Sequence, residues 1–380
     1  MRILIAAGGT GGHVYPALAV ARSLRERVPD VEFQWLGGHR GLESNIVPAE
    51  GFRLELLPLR SLRTVDLNHH AVLDPIRLAA SLPVAEAKLL RWRPDAVFTT
   101  GGYVAIPVVM AAASQRVPSV MWEGNIVAGR SVRATARFAN VLAVSFAETA
   151  KSLPGRCYVT GTPIRSFAGH DQKSAREALH LEPDTPVVFV FGGSQQVRRM
   201  NRAVWDALVD LVKDTQVIHM TGEPAYADAL KAREKLPTGW RSRYKPYPFL
   251  RGEMTDALVA SDLLIGRAGS STLAEASALG LPMVVVPYPH ASAHQVANAR
   301  ALAEAGAARI VADEDFNAAA LKSAVEMLHD GEQMATMRAA ARTFGRPGAA
   351  SAVAELVLAL AERSKLPADA AIEEMSRAAP

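Results

Sequence analysis

Four stretches of this chain carry residue types and spacings that could do chemistry. Gly8-Gly9-Thr10-Gly11-Gly12-His13, Gly101-Gly102-Tyr103 and Gly192-Gly193-Ser194 each follow a short apolar run. Glycine lets a backbone approach a bulky anion, and a helix opening after such a turn offers unpaired N–H groups and positive potential. Each loop alone is equally well explained as a tight strand-to-helix turn. Three of them at strand ends favour the handling of phosphate. The fourth stretch, Gly266-Arg267-Ala268-Gly269-Ser270-Ser271-Thr272-Leu273-Ala274-Glu275, says more. Its pattern predicts a helix running to about Leu279, ended by Gly280 and Pro282. Ser270, Ser271 and Thr272 then lie in the first turn, where amides and hydroxyls converge on an anion such as a pyrophosphate. Glu275, one turn further on, is placed to accept hydrogen bonds from two ribose hydroxyls. A capped helix with an acid near its dipole fits the same residues. The first loop lacks the spacing of a dinucleotide fingerprint, since Gly37 and Gly38 stand where an acid would end the second strand. It also lacks the Lys-Ser/Thr ending of a phosphate-binding P-loop.

The elements that position these loops alternate along the chain. Candidate strands are Ile3–Ala7, Phe33–Leu36, Leu54–Leu57, Ala96–Thr99, Ser119–Trp122 and Val141–Val144. A second series comprises Val187–Phe191, Val217–Met220, Leu263–Ile265, Met283–Val286 and Arg309–Val311. Near-continuous apolar strands separated by amphipathic helices predict an α/β fold with parallel sheets covered on both faces. The texture changes around Gly161-Thr162-Pro163, and 169–186 is polar and turn-rich. A hinge is therefore expected near 162–168, between two doubly wound Rossmann-like domains facing a cleft. The expected division is 1–163 for an acceptor and membrane-side domain and 164–345 for a nucleotide-sugar domain. A helix within 346–365 is expected to pack back toward the first domain, with 366–380 as a loose tail.

Composition narrows the classes. The chain has 380 residues, 49% hydrophobic and 21% charged, which suits two ordinary folded domains and not a disordered chain. The formal net charge is only +4, and no dense basic stripe with interleaved aromatics occurs, so nucleic acid is not an expected partner. Cys157 is the only cysteine, which excludes an internal disulfide and a cysteine-built metal site. The run from Met1 to Ala7 reads as a first strand and not as a signal peptide. No run approaches the ~20 apolar residues of a membrane-spanning helix.

In combination and in order, Gly8–His13, Gly101-Gly102-Tyr103, Gly192-Gly193-Ser194-Gln195, Arg267-Ala268-Gly269 through Thr272 to Glu275, and Gln295 with Asn298 resemble one family. It is the MurG-type N-acetylglucosaminyltransferases, and the resemblance runs from Met1 to about Leu360. It implies a two-domain glycosyltransferase B architecture. It implies UDP-N-acetylglucosamine as donor and undecaprenyl-pyrophosphoryl-N-acetylmuramoyl-pentapeptide (lipid I) as acceptor, giving lipid II for peptidoglycan. Carried over by matching positions, Thr10, Gly11 and Gly12 line the site near donor sugar and acceptor pyrophosphate, and Tyr103 joins the substrate contacts. Asn125 contacts the sugar, while Arg165 and Ser194 contact the nucleotide, Ser194 at a phosphate. Leu250 presents backbone groups to the uracil. Ser270, Ser271 and Thr272 match the phosphate turn, Glu275 the ribose contact and Gln295 a sugar-hydroxyl contact. Gly124, Thr162, Gln196 and His294 depart from the family's usual residues on the donor side, and so bear on sugar specificity.

The reaction proposed for this chain is a single inverting displacement, with His13 as candidate base for the acceptor hydroxyl proton or as a residue orienting the acceptor. A histidine that only caps or packs at the helix start fits the same position. His13 and Glu275 form the expected catalytic pair. No resident cofactor is expected, although a divalent cation could stimulate through the substrates' phosphates. Asp313-Glu314-Asp315 has the spelling of a cation-binding pair but reads as capping for a helix at Asn317. Val72, Leu73, Ile76, Leu78 and Leu82, with Arg77, Lys88, Arg91 and Arg93 nearby, suit a peripheral site on the anionic cytoplasmic face of a membrane. A core-facing amphipathic helix explains the same residues. Rival readings are a transferase of the same architecture acting on another lipid or aglycone, a non-catalytic paralogue that binds UDP-sugar, and a two-domain nucleotide-sugar epimerase.

Overall fold

The computed structural model describes residues 1–39, 41–59, 70–192, 198–250, 252–289 and 294–378, the side chains of 70–72 excepted. The strands in chain order are β1 Arg2–Ala6, β2 Glu32–Gly37, β3 Leu54–Leu56, β4 Ala96–Thr99, β5 Ser119–Glu123, β6 Val141–Val144, β7 Cys157–Val159, β8 Val187–Phe191, β9 Gln216–Met220, β10 Tyr244–Tyr247, β11 Leu263–Gly266, β12 Met283–Val285 and β13 Ala308–Ile310. They form two wholly parallel sheets, ordered β3-β2-β1-β4-β5-β6-β7 and β10-β9-β8-β11-β12-β13. The winding is the same in both. Strand order reverses between β1 and β4 in one sheet and between β8 and β11 in the other, and ligands of such sheets sit beyond the strand ends at that reversal.

Alternation along each strand explains the layers. Ile3 and Ile5 turn to one face, packing with Ala352, Val353, Leu356 and Val357 of the helix Ala349–Ala361. Leu4 and Ala6 turn to the other, with Ala85, Leu89, Val104 and Val108. In the second sheet Val187 and Phe189 pack with Leu258 and Leu273, whereas Val188 and Val190 pack with Val204 and Leu208. Each such aliphatic side chain contributes about 1.5–3 kcal/mol on burial, which is why both faces must be apolar.

Every expected strand is present, its ends shifted by no more than one residue. Two were missed, β7 and β10, and both are sheet edges. The chain divides into unit 1, Met1–Ser166 with Arg346–Pro380, and unit 2, Phe167–Gly345. The first crossing therefore falls at Ser166–Phe167, slightly beyond the expected 163–164. The stretch expected as a loose tail is a correction: it carries the helix Asp369–Arg377, packed on unit 1. Ile372 is buried there, Arg346 donates to Ser376 Oγ at 2.7 Å and pairs with Glu373 at 3.2 Å, and Tyr158 Oη donates to the Pro367 carbonyl at 2.8 Å.

One stretch, 331–361, is apolar and long enough by composition to cross a membrane. It breaks into the helices Gly331–Phe344 and Ala349–Ala361, and the second is a core helix of unit 1.

Candidate functional site

In unit 1 the glycine-rich turns lie at the carboxyl ends of β1 and β4, beside the reversal. The helix after β1 begins at Gly11, so His13 belongs to its first turn. Thr10 is the last extended residue, and its carbonyl accepts from the His13 and Val14 amides at 3.0 and 3.2 Å. His13 is tied to the end of β4 in both directions. Its Nδ1 lies 2.7 Å from the Thr100 carbonyl oxygen, and Thr100 Oγ1 donates to the His13 carbonyl at 2.9 Å. A carbonyl can only accept, so Nδ1 carries the proton and a neutral ring presents Nε2 as its basic nitrogen. Gly102, at φ 72°, lies over that nitrogen; a Cβ there would come 3.6 Å from Nε2.

The other expected contacts of unit 1 surround these turns. Tyr103 is buried, with its hydroxyl donating to Glu43 Oε1 at 3.4 Å. Burial, then the Glu43 charge, pushes the Tyr103 phenol well above its ordinary pKa. Asn125 is held by Glu123, whose Oε1 accepts from the Asn125 amide at 2.8 Å and from Nδ2 at 2.9 Å. Glu123 Oε2 also accepts from the Gly129 amide at 2.7 Å, so one buried acid shapes the whole turn after β5. Arg165 lies in unit 1 with its guanidinium 5.7 Å from the Tyr15 ring. It therefore stands with the helix of the first glycine loop, in a different unit from the Ser270 helix.

In unit 2 the helix Ser270–Leu279 follows β11 through Gly269 and ends at Gly280, whose φ of 66° gives the left-handed stop. No acid occupies its first turn. Ser271 Oγ is shielded from solvent and has no hydrogen-bond partner among the described residues. A buried hydroxyl of this kind, at a helix N-terminus, is suited to an incoming phosphate. Glu275 is buried further along the helix, and Thr272 half-buried. Leu250 is buried with its amide directed at Met220 Sδ, 3.4 Å away. The Gln295 side-chain carbonyl accepts from the Tyr288 amide at 2.9 Å, so of that side chain's polar groups the NH₂ is the one not engaged there. Ser194, with Gln195 and Gln196, lies outside the described residues.

Asp313 has a different task from the one expected. The helix Ala318–Glu326 is capped by Asn317, whose Oδ1 accepts from Ala319 and Ala320. Asp313 instead pairs with Arg267 at 2.5 Å and Arg199 at 3.5 Å. Arg267 also donates to the Val286 carbonyl at 3.1 Å, so this pair fixes the turn leading into the Ser270 helix. Sequence reasoning missed Thr100, Glu43 and Asp313 as supports, because each acts on a residue far away in the chain. Arg267 alone carried a local signal, as part of the glycine-rich run.

Unit 2 carries a helix start with a buried hydroxyl unpartnered among the described residues, and unit 1 a histidine of fixed tautomer, each suited to chemistry on a nucleotide-activated donor. On doubly wound units, such elements suit the nucleotide-sugar glycosyltransferases as a class. Residues 3–144 match the glycosyltransferase family 28 N-terminal domain and residues 187–353 the family 28 C-terminal domain. The chain is 40% identical over 375 residues to the UDP-N-acetylglucosamine–N-acetylmuramyl-(pentapeptide) pyrophosphoryl-undecaprenol N-acetylglucosamine transferase of Moorella thermoacetica, covering 95% of this chain and 100% of that one. It is 37% identical over 370 residues to the enzyme of the same name from Chlorobaculum tepidum, at 95% and 100% coverage. The crystal structure of Acinetobacter baumannii MurG matches with a TM-score of 0.73 at 26% identity, over 94% of this chain and 99% of that one. The chain belongs to the MurG-type N-acetylglucosaminyltransferases of glycosyltransferase family 28.

Proposed function

We propose that this chain transfers N-acetylglucosamine from UDP-N-acetylglucosamine to the muramoyl 4-hydroxyl of lipid I, forming lipid II with inversion at the anomeric carbon. The observation that carries the reading is the end-to-end likeness to transferases named for that reaction. In one displacement the bond from the anomeric carbon to UDP breaks as the β-1,4 bond forms, and the hydroxyl proton passes to His13 Nε2. The Thr100 carbonyl holds the ring so that Nε2 keeps its lone pair. The departing diphosphate is received by the first turn of the Ser270 helix, with the Ser271 hydroxyl as a donor and Glu275 on the ribose. Any effect of a divalent cation is assigned to the substrates' own phosphates.

A peripheral seat on an anionic cytoplasmic membrane face belongs to the same proposal. Leu78 and Leu82, of the helix His70–Trp92, pack against the core of unit 1, and the Val72 side chain lies outside the described residues. Leu73, Ile76, Ala80, Pro83, Ala87 and Leu90 are exposed at three- and four-residue spacing, so one face of this helix is an apolar stripe open to solvent. Leu90 is 62% exposed. Beside it opens a cavity of about 620 Å³ whose lining includes Gln34, Arg53, Glu55, Lys88, Arg91 and Trp92, with Glu55 paired to Arg53 and Lys88, and Arg91 adding a further cation. Cations next to an exposed apolar stripe suit acidic headgroups.

The decisive assay measures UDP release from UDP-N-acetylglucosamine with and without a lipid I analogue. Release that depends on the analogue, with a disaccharide product, is expected. Release that ignores the acceptor would reject the reading.

A further inference from the structure

Glu43 takes no part in the reaction just described, yet unit 1 is built around its carboxylate. It opens the helix Glu43–Ala49 and is completely buried. Oε2 accepts from the Gly9 amide at 2.8 Å, and Oε1 accepts from the Gly38 amide at 3.0 Å and the Tyr103 hydroxyl at 3.4 Å. These donors come from three segments: the turn after β1, the end of β2 and the helix Gly102–Ser114. Among the described residues Glu43 forms no ion pair. Space is reserved for it as well, because a Cβ at Gly8, Gly37 or Gly41 would overlap its side chain. A buried charge is tolerated only where donors converge on it, so this arrangement is a completed anion site with the anion supplied by the chain itself.

The occupied amides matter for the glycine loop. Gly9 and Gly38 are engaged by Glu43, whereas the Gly11 and Gly12 amides, opening the next helix, have no backbone acceptor among the described residues. We infer that Glu43 is a positioning residue, a resident counter-anion that fixes the Gly8–Gly12 turn. It directs a substrate's phosphate oxygens past Gly9 to the Gly11 and Gly12 amides beside His13. The Gly9 φ of 98° is the conformation so held. The inference rests on the reading of His13 and its loop as catalytic.

The test is E43Q, which keeps the volume but replaces an acceptor oxygen with an NH₂ facing a donor. Its kcat with a lipid I analogue is expected to fall on the order of ten- to a hundredfold, as for a displaced reacting group. The KM for UDP-N-acetylglucosamine, whose nucleotide contacts lie mainly in unit 2, is expected to stay within about twofold. Deuterium exchange across residues 7–15 should quicken, since the Gly9 amide loses its acceptor. Should E43Q fail to fold, E43D serves, keeping the charge but withdrawing it by one carbon; the same split is expected. Wild-type kcat in either folded variant, or equal damage to kcat and donor KM, overturns the role of Glu43. H13A separates the two readings. If H13A turns over normally, the catalytic reading of the loop fails; if H13A is inactive while a folded Glu43 variant is unimpaired, only the inference about Glu43 fails.

Discussion

Ser271 Oγ is a hydroxyl shielded from water and without a partner among the described residues, so its removal should read out differently from most buried truncations. Leaving such a group unpaired costs about 1–3 kcal/mol, and S271A removes the group itself. We expect S271A to melt no lower than the wild type. Its KM for UDP-N-acetylglucosamine should rise roughly tenfold or more, the equivalent of one hydrogen bond to a charged oxygen. A lower melting temperature with unchanged donor KM would return the hydroxyl to a purely structural role. At this scale the sequence was legible where residue type and local spacing coincide. Ser270 through Glu275 needed only the helix period, and the first glycine loop only its place after a strand. Glu43 was not legible, since its partners Gly9 and Tyr103 are distant in the chain and an isolated acid in a polar stretch has no spacing to betray it.

Among the elements, the packing of the helix Arg198–Asp214 against β9 and β10 contains a buried polar chain. His219 Nδ1 accepts from Tyr244 Oη at 2.8 Å, and Nε2 donates to Asn201 Oδ1 at 3.0 Å, while Asn201 Nδ2 donates to the Thr221 carbonyl at 2.9 Å. Burial pushes the imidazole pKa down from 6.5 to about 3. The unfolded chain therefore takes the proton first as pH falls. The stabilisation is fully present above about 6.5 and drains toward 3, by up to about 1.4 kcal/mol for each pH unit. Melting temperature should drop between pH 7 and pH 5, and H219Q, less stable at neutrality, should show a shallower drop. An equal slope in H219Q would locate the acid sensitivity elsewhere.

The exposed stripe on the helix His70–Trp92 belongs to this scale as well. I76E with L90E should weaken sedimentation with acidic vesicles and leave turnover on a water-soluble acceptor intact; undiminished vesicle binding would remove the stripe from the membrane proposal. Central strands such as β1 and β8 read as continuous apolar runs. β7 and β10 did not: β7 is only Cys157-Tyr158-Val159, and β10 is interrupted by Lys245 and Pro246, whereas the equally exposed edges β3 and β13 were read from their aliphatic residues. The helix Asp369–Arg377 escaped notice as well: Ile372 and Met375 are a thin apolar face in a polar segment.

For the whole molecule, the repeated winding was legible because alternation of strand and helix leaves parallel sheets as the solution. The connectivity of unit 1 was harder to read, since it is closed by residues from both ends of the chain. Ala352, Val353, Leu356 and Val357 cover Ile3 and Ile5, and no local pattern near either set announces the other. A chain ending at residue 345 should leave that sheet face uncovered. We expect it to aggregate on expression while the full chain stays soluble; a soluble, cooperatively melting truncation would show that the helix Ala349–Ala361 is dispensable to unit 1.

That closure also sets an order of events on the ribosome. Unit 2 is one continuous stretch and can complete its core as soon as it clears the exit tunnel, whereas unit 1, although its strands are made before unit 2, must wait for the helix Ala349–Ala361 before its β1 face is sealed. Strands made before unit 2 are thus protected after it. Chaperone dependence in the cell should follow the Ile3 and Ile5 surface until the helix Ala349–Ala361 emerges to cover it.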